Sequence, residues 1–251
     1  MSNIGFSTGC LYKLQKNIDE IVWFYEHIGA TAVELCFATS SELADFEITS
    51  GLLESVKKIP HVTLHAPWKE IRYNNSYASK KVLERLKHIS EKFKEKKIKL
   101  KGIVVHPDII DDLDSLSYTN LPFLIENMDK RKDFGTLPEH FEKLKQRCKL
   151  GFVLDVQHAY ENDPKMYMAG ELIDVMGDRL KELHVSGFFG KQNHYPVHAS
   201  ENEKEISQIL RLNIHAPKIL EGIIEYEQLS PSQVARNELE FVKNYHKMHV
   251  R

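Results

Sequence analysis

Short apolar and β-branched runs recur along the chain, and most of them are separated by longer stretches with helical periodicity. Apolar runs of this length, bounded by polar or turn-forming residues, predict β-strands. The eight predicted strands cover residues 4–7, 32–36, 62–64, 102–105, 122–125, 152–154, 180–183 and 219–224.

The stretches between these strands carry the pattern of amphipathic helices. The longest runs from about residue 76 to residue 97, and its apolar positions fall on one face: Val82, Leu86, Ile89 and Phe93. Asp163 followed by Pro164 predicts another helix start, whereas the connection after Ile109 is short. Strands that alternate with helices imply parallel βαβ units, so eight of them predict one closed (β/α)8 TIM barrel of the α/β class.

Composition fits this fold and excludes several classes of protein. A chain of 251 residues that is 42% hydrophobic has the usual length of one such domain, which we assign to residues 1–251. The 34 basic and 36 acidic residues give no strong basic excess, although a local basic stripe would still allow DNA as a substrate. Three widely spaced cysteines and the absence of an apolar run near ~20 residues predict a cytoplasmic protein with no membrane segment.

Polar residues that can bind a metal ion or transfer a proton stand at the ends of six successive predicted strands, from the third to the eighth. They are His65, His106, Glu126, Asp155 with His158, His184 and Glu221. All strands of a parallel barrel end on the same face, so these side chains are expected to converge on one cavity. Histidine nitrogens and carboxylate oxygens are ligands for zinc and manganese. Crowded carboxylates repel one another without a cation, so the series predicts at least one divalent metal ion.

The series resembles the xylose-isomerase-like superfamily of TIM barrels, which contains sugar phosphate isomerases and epimerases as well as AP endonuclease family 2, the endonuclease IV type. The resemblance spans essentially the whole chain. It implies that one shared metal ion is held by Glu126, Asp155, His184 and Glu221. His158 matches a family histidine that contacts substrate in the epimerases and binds a further metal in the nuclease branch.

The nuclease branch has two additional histidines on its third and fourth strands, and His65 and His106 match them. Its third metal uses an Asp-x-His pair after the seventh strand, where this chain has Gln192 and His194. Because a neutral amide is a poorer ligand than a carboxylate, this departure argues against a complete third site. His198 is an alternative ligand that the sequence does not place.

Three further residues are candidates for supporting roles. Trp68 follows His65 and is expected either to stack on a substrate ring or to pack at the barrel mouth. Lys191 lies near His194 and is either a contact for a substrate phosphate or a solvated loop lysine. Glu34 ends the second strand and is expected to bond a ligand or a neighbouring histidine, or to be purely structural.

Two activities compete. In an isomerase or epimerase of a sugar or sugar phosphate, the metal would polarise a carbonyl, Glu126 and Glu221 would shuttle a proton, and His158 would orient a hydroxyl. In an endonuclease IV-like phosphodiesterase acting on abasic DNA, several metals bridged by Glu126 would also use His65, His106, His158 and His194. A barrel without catalysis is a third option. Gln192, and the lack of basic or aromatic loops suited to a duplex, make the sugar enzyme the favoured prediction, and the oligomeric state is not indicated.

Overall fold

The strands form a barrel in the part of the chain that the computed structural model describes, namely residues 2–14, 17–117, 119–212, 214–225 and 230–248. In chain order they are β1 (Ile4–Ser7), β2 (Ala32–Cys36), β3 (His61–His65), β4 (Leu100–Val105), β5 (Phe123–Glu126), β6 (Gly151–Asp155), β7 (Leu180–Val185), β8 (Gly187–Phe189), β9 (Gln192–Tyr195) and β10 (Lys218–Leu220). The first seven and β10 pair only in parallel, and β10 pairs with β1 and β7 to close the barrel. The predicted TIM barrel is therefore confirmed as a single-domain α/β fold.

Helices surround the barrel. They are α1 (Ile18–His27), α2 (Ser40–Asp45), α3 (Ser50–Lys57), α4 (Tyr77–Glu95), α5 (Leu113–Ser117), α6 (Pro138–Arg147), α7 (Val156–Asn162), α8 (Tyr167–Met176), α9 (Glu203–Arg211) and α10 (Pro231–Met248). Side-chain oxygens cap several of them by accepting a backbone N–H of the first turn, among them those of Asn17, Thr39, Thr49, Ser76 and Asp155. None of the described helices is long and apolar enough to cross a membrane.

The apolar core lies mainly between the strands and the helices, because alternate strand residues point outwards to the helical layer. The barrel interior is divided. On the side formed by β4, β5 and β6, the interior is filled by a small apolar cluster of Val104, Leu124 and Val153. The buried residues on β2, β3 and β7 include Glu34, Thr63 and Glu182, which are polar.

Several predicted strand ends differ from the observed ones by one or two residues, and two further predictions are wrong. The eighth strand ends at Leu220 instead of residue 224, because the chain then turns to the β8–β9 hairpin, where the N–H of Ile223 donates to the carbonyl of His194. Asp163 and Pro164 do not start a helix directly. Asp163 ends α7, and its carboxylate accepts the N–H of Met168 in the first turn of α8.

The close contact between β1 and β2 generates a prediction about stability. Gly5 pairs with Ala32, and a Cβ atom on Gly5 would lie 1.6 Å from the carbonyl oxygen of Ala32. Because the backbone of a closed barrel has little room to move, we expect Gly5→Ala to lower the free energy of unfolding by more than about 2 kcal/mol. Urea unfolding measures the change.

Gly170 in α8 is the matched control, since an added Cβ there would meet no atom within 4 Å. Gly170→Ala should raise the free energy of unfolding by roughly 0.5–1 kcal/mol, because alanine loses less entropy in a helix. Equal stabilities for the two variants would contradict the close approach of β1 and β2.

Candidate metal centre

Four of the predicted ligands meet at the carboxyl ends of neighbouring strands. Glu126, Asp155, His184 and Glu221 lie at or next to the ends of β5, β6, β7 and β10, and one ligand atom of each lies within 4.8 Å of the others. Nδ1 of His184 lies 3.1 Å from Oε1 of Glu126 and 3.4 Å from Oε1 of Glu221. All four are buried or nearly so, because they point into the barrel mouth.

A second group shares Glu126 with the first. Nε2 of His65 and Nε2 of His106 lie 3.3 Å and 3.4 Å from Oε2 of Glu126. A local contact orients the ring of His65 so that Nε2 faces Glu126: the other nitrogen, Nδ1, lies 3.0 Å from the carbonyl oxygen of Ala66. The two oxygens of Glu126 therefore face two different groups of ligands.

A third group is formed by Asp155, His158 and His194. Nδ1–H of His158 donates to the carbonyl of Asn127 at 2.8 Å, which leaves Nε2 free to bind a ligand. His194 adopts a positive φ of 55° on β9, at the point where the register with β8 shifts. Its Nδ1 lies 3.0 Å from the hydroxyl oxygen of Ser186.

Two alternatives for completing this third group are resolved by the contacts. The amide of Gln192 points away and donates to Glu225 at 3.2 Å. His198 lies 2.6 Å from Glu238 of α10, so it does not fill the gap. An additional carboxylate is supplied from elsewhere, because Oδ2 of Asp129 lies 4.0 Å from Nε2 of His158.

The side chain of Asn127 holds the ends of β5 and β6 together. Its Oδ1 accepts the N–H of Asp155 at 2.6 Å, and its Nδ2 donates to the carbonyl of Asp155 at 2.9 Å. Oδ1 of Asp155 in turn accepts the N–H of His158 at 2.7 Å, which caps α7. Glu126, Asp155 and His158 are thus positioned by one local network. Sequence reasoning missed Asn127, although its place directly after Glu126 was a signal.

Burial and neighbouring charges shift the pKa values of the carboxylates of the centre in different directions. Burial disfavours the charged form of Glu126, but the charge of His184 and hydrogen bonds from the surrounding histidines outweigh it and hold the pKa of Glu126 well below its usual range. Burial raises the pKa of Asp155 to about 8, and the charges of Glu126 and Glu221 act in the same direction. Without a cation, Asp155 is therefore the carboxylate that takes up a proton.

The histidines carry the compensating charge. Burial opposes protonation of His65, but its hydrogen bond to Glu126 and the charge of Glu34 raise its pKa to about 9. Burial also opposes protonation of His158, whose pKa the charges of Asp155 and Glu126 raise to about 9. In the metal-free protein, protons on these histidines therefore neutralise the buried carboxylates near neutral pH.

The donor set suits divalent metal ions. Oδ2 of Asp155 is a buried polar atom with no hydrogen-bond partner in the described structure, which is costly unless something else binds it. Histidine nitrogens and carboxylate oxygens are the ligands that zinc and manganese accept. The residues therefore fit one ion within the four-residue group and another at His65, His106 and Glu126.

A cavity of about 1140 Å³ opens above the centre. Trp68 lines it, with its ring centroid 4.8 Å from that of His65 and 5.6 Å from that of His106. Lys191 lies at the exposed turn between β8 and β9 and is not among the residues that line the cavity. Its predicted contact with a substrate phosphate remains a prediction.

Three basic residues that sequence reasoning missed also line the cavity: Lys69, Arg131 and Lys132. Nε of Arg131 lies 2.7 Å from Asp129, and Nζ of Lys132 lies 2.7 Å from Asp108. They follow Trp68 and Glu126 closely in the sequence, which was the available signal.

No protein-family model matches the sequence, and no curated protein matches it either. Solved structures do match over nearly the whole chain. Endonuclease IV from Thermus thermophilus is 18% identical with a TM-score of 0.68, and the match covers 98% of this chain and 99% of that chain.

Two further matches are named as sugar epimerases or proteins like them. A D-tagatose 3-epimerase-like protein is 17% identical with a TM-score of 0.67 and 98% of both chains covered. The 3-keto-D-glucoside 4-epimerase YcjR from E. coli is 17% identical with a TM-score of 0.66, and the match covers 97% of this chain and 100% of that chain. This chain has the fold that these structures share, a TIM barrel.

Proposed function

We propose that the protein is a metal-dependent phosphodiesterase that uses two divalent ions bridged by Glu126. The observation that supports this activity is the arrangement of the two Glu126 oxygens. Oε1 faces His184, and Oε2 faces His65 and His106. A carboxylate with ligands on both sides is suited to hold two ions close together, as two-metal hydrolases do.

An enzyme with one metal would not need His65 and His106. The four-residue group is complete without them, since Glu126, Asp155, His184 and Glu221 already offer four ligand atoms. His65 is 4% exposed, and its Nε2 shares a proton with Glu126, so an ion bound there would take the place of that proton. A second ion at His65, His106 and Glu126 accounts for both histidines.

Two such ions, when bound, activate water near neutral pH and stabilise charge on the attacking and leaving oxygens of a phosphodiester. The protein would supply the rest. Lys69 and the Arg131–Lys132 pair line the same cavity and would contact substrate phosphates. Acidic side chains line it as well, so the bound ions would supply most of the attraction for an anionic substrate. Trp68 presents its ring beside His65 and His106, where it would stack on an unpaired base or sugar.

Epimerisation of a sugar is the second candidate, and a specific contact favours it. Glu126 and Glu221 both lie within 3.4 Å of the same nitrogen of His184, so two carboxylates flank one metal position. Such a pair would exchange a proton on opposite faces of a substrate. However, Glu126 has its pKa held well below the usual range, which makes it a weak base in the metal-free protein.

The bridged arrangement predicts the number of ions. Elemental analysis of zinc-loaded protein should find about two ions or more per chain, and His106→Ala should remove about one. His88→Ala is the matched control, because His88 lies exposed on α4 and should leave the count unchanged. One ion in the wild-type protein, unaffected by His106→Ala, would contradict the bridged centre.

Metal affinity should rise with pH. His65 and Asp155 hold protons below about pH 9 and about pH 8 in the metal-free protein, and metal binding must displace them. For each displaced proton, the apparent dissociation constant should fall about tenfold per pH unit as the pH rises towards these values. Calorimetry at pH 6.5 and 8.5, in buffers of different ionisation enthalpy, measures the affinity and the released protons, and equal affinities would count against these ligands.

The activity itself is tested with bis(p-nitrophenyl) phosphate and with a duplex that contains one abasic site. Glu126→Gln keeps the side-chain size but loses the bridging charge, so we expect hydrolysis to fall by more than about a hundredfold while the circular dichroism spectrum is retained. His106→Ala should also abolish hydrolysis, and His88→Ala should not. Epimerisation of a ketose that survives His106→Ala would instead support the second candidate.

A further inference from the structure

The barrel interior beneath the metal centre contains a buried polar network. Oε2 of Glu182 lies 2.6 Å from Nε2 of His61, and the hydroxyl of Thr63 donates to Oε1 of Glu182 at 3.4 Å. Glu182 and Thr63 are fully buried and His61 is 7% exposed. The interiors of TIM barrels are usually filled by branched apolar side chains, so this network needs an explanation.

The network reaches His184 from below. Nε2 of His184 lies 3.3 Å from Oε1 of Glu182, while Nδ1 faces Glu126 and Glu221 above. An imidazole that binds a metal through one nitrogen must carry its proton on the other, and that N–H needs an acceptor. The two nitrogens of His184 are thus presented to a metal position and to an acceptor, respectively.

Two carboxylates compete for the role of acceptor. Glu34 also lies 3.3 Å from Nε2 of His184, but its oxygens make no hydrogen bond in the described structure. Glu182 does meet hydrogen-bond geometry with His184, and its position is held by His61 and Thr63. The better-held carboxylate is therefore Glu182.

We propose that Glu182, held by His61 and Thr63, is a positioning residue that keeps the proton of His184 on Nε2 and directs Nδ1 to the metal. This inference rests on the proposed metal centre. It assigns a role to Glu182, a fully buried acid on β7 that lies two residues before the ligand. An ion bound among Glu34, Glu182 and His184 would use the same nitrogen and is the competing arrangement.

The wild-type protein gives the first test. Long-range ¹H–¹⁵N spectra of the zinc-loaded protein, with the His184 signals assigned by His184→Gln, should show a proton on Nε2 and none on Nδ1. A proton on Nδ1, or an unprotonated Nε2, would overturn the proposal. The measurement does not depend on any variant at Glu182 being folded.

Zinc affinity of three variants gives the second test. Glu182→Leu removes the acceptor and should raise the dissociation constant for zinc about 10- to 100-fold, the usual effect of losing a hydrogen-bond partner of a metal ligand. Glu182→Gln keeps a carbonyl acceptor and should restore most of the affinity. Glu34→Gln should have the smallest effect, and a larger loss with Glu34→Gln than with Glu182→Leu would overturn the assignment.

Neither test uses a substrate, so the two proposals fail in different ways. Zinc binding with the expected His184 proton, but without phosphodiester hydrolysis, would overturn the proposed function and leave the role of Glu182 intact. Hydrolysis by a protein whose His184 carries its proton on Nδ1 would overturn the role of Glu182 and leave the proposed function intact. A chain that binds no zinc would overturn both.

Discussion

The rest of the centre depends on the contacts of one buried carboxylate, that of Glu126. It lies at the end of β5, with one oxygen towards His184 on β7 and the other towards His65 and His106 at the ends of β3 and β4. A charge at this depth is stable only with opposite charges around it. Protonated histidines provide them in the metal-free protein, and divalent ions would replace those protons, so folding and metal binding use the same ligand geometry.

The interior of the barrel reflects this requirement. On the side formed by β4 to β6, it is packed with Val104, Leu124 and Val153, as in an ordinary barrel. On the side formed by β3 and β7, polar side chains are buried, and His61, Thr63 and His184 are joined through Glu182. The apolar side gives the strands a close-packed support, while the polar side supplies acceptors to the ligands above it. Such a network stabilises a fold only when its members are bonded, which explains why Glu182 has three partners.

The hairpin of β8 and β9 contributes to the lining of the cavity. It carries His194 into the third group of ligands, at a positive φ where the β8–β9 register shifts. Gln192 is directed to Glu225 instead, and Asp129 approaches His158 from the loop after β5. The third group therefore differs from the other two in its longer distances between histidine and carboxylate. This asymmetry supports a centre built around two well-formed positions.

The sequence alone was sufficient to predict the barrel and to group the candidate ligands at one end of it. Strand periodicity and the polar residues at strand ends are local features, and the parallel topology brings all strand ends to one face, so Glu126, Asp155, His184 and Glu221 could be grouped without coordinates. The tertiary structure decided how these groups are oriented and what supports them. The two-sided contacts of Glu126, the partner of His198 and the link from Glu182 to His61 join residues far apart in the chain. Such contacts depend on strand register and on side-chain rotamers, and neither leaves a periodic signal in the sequence.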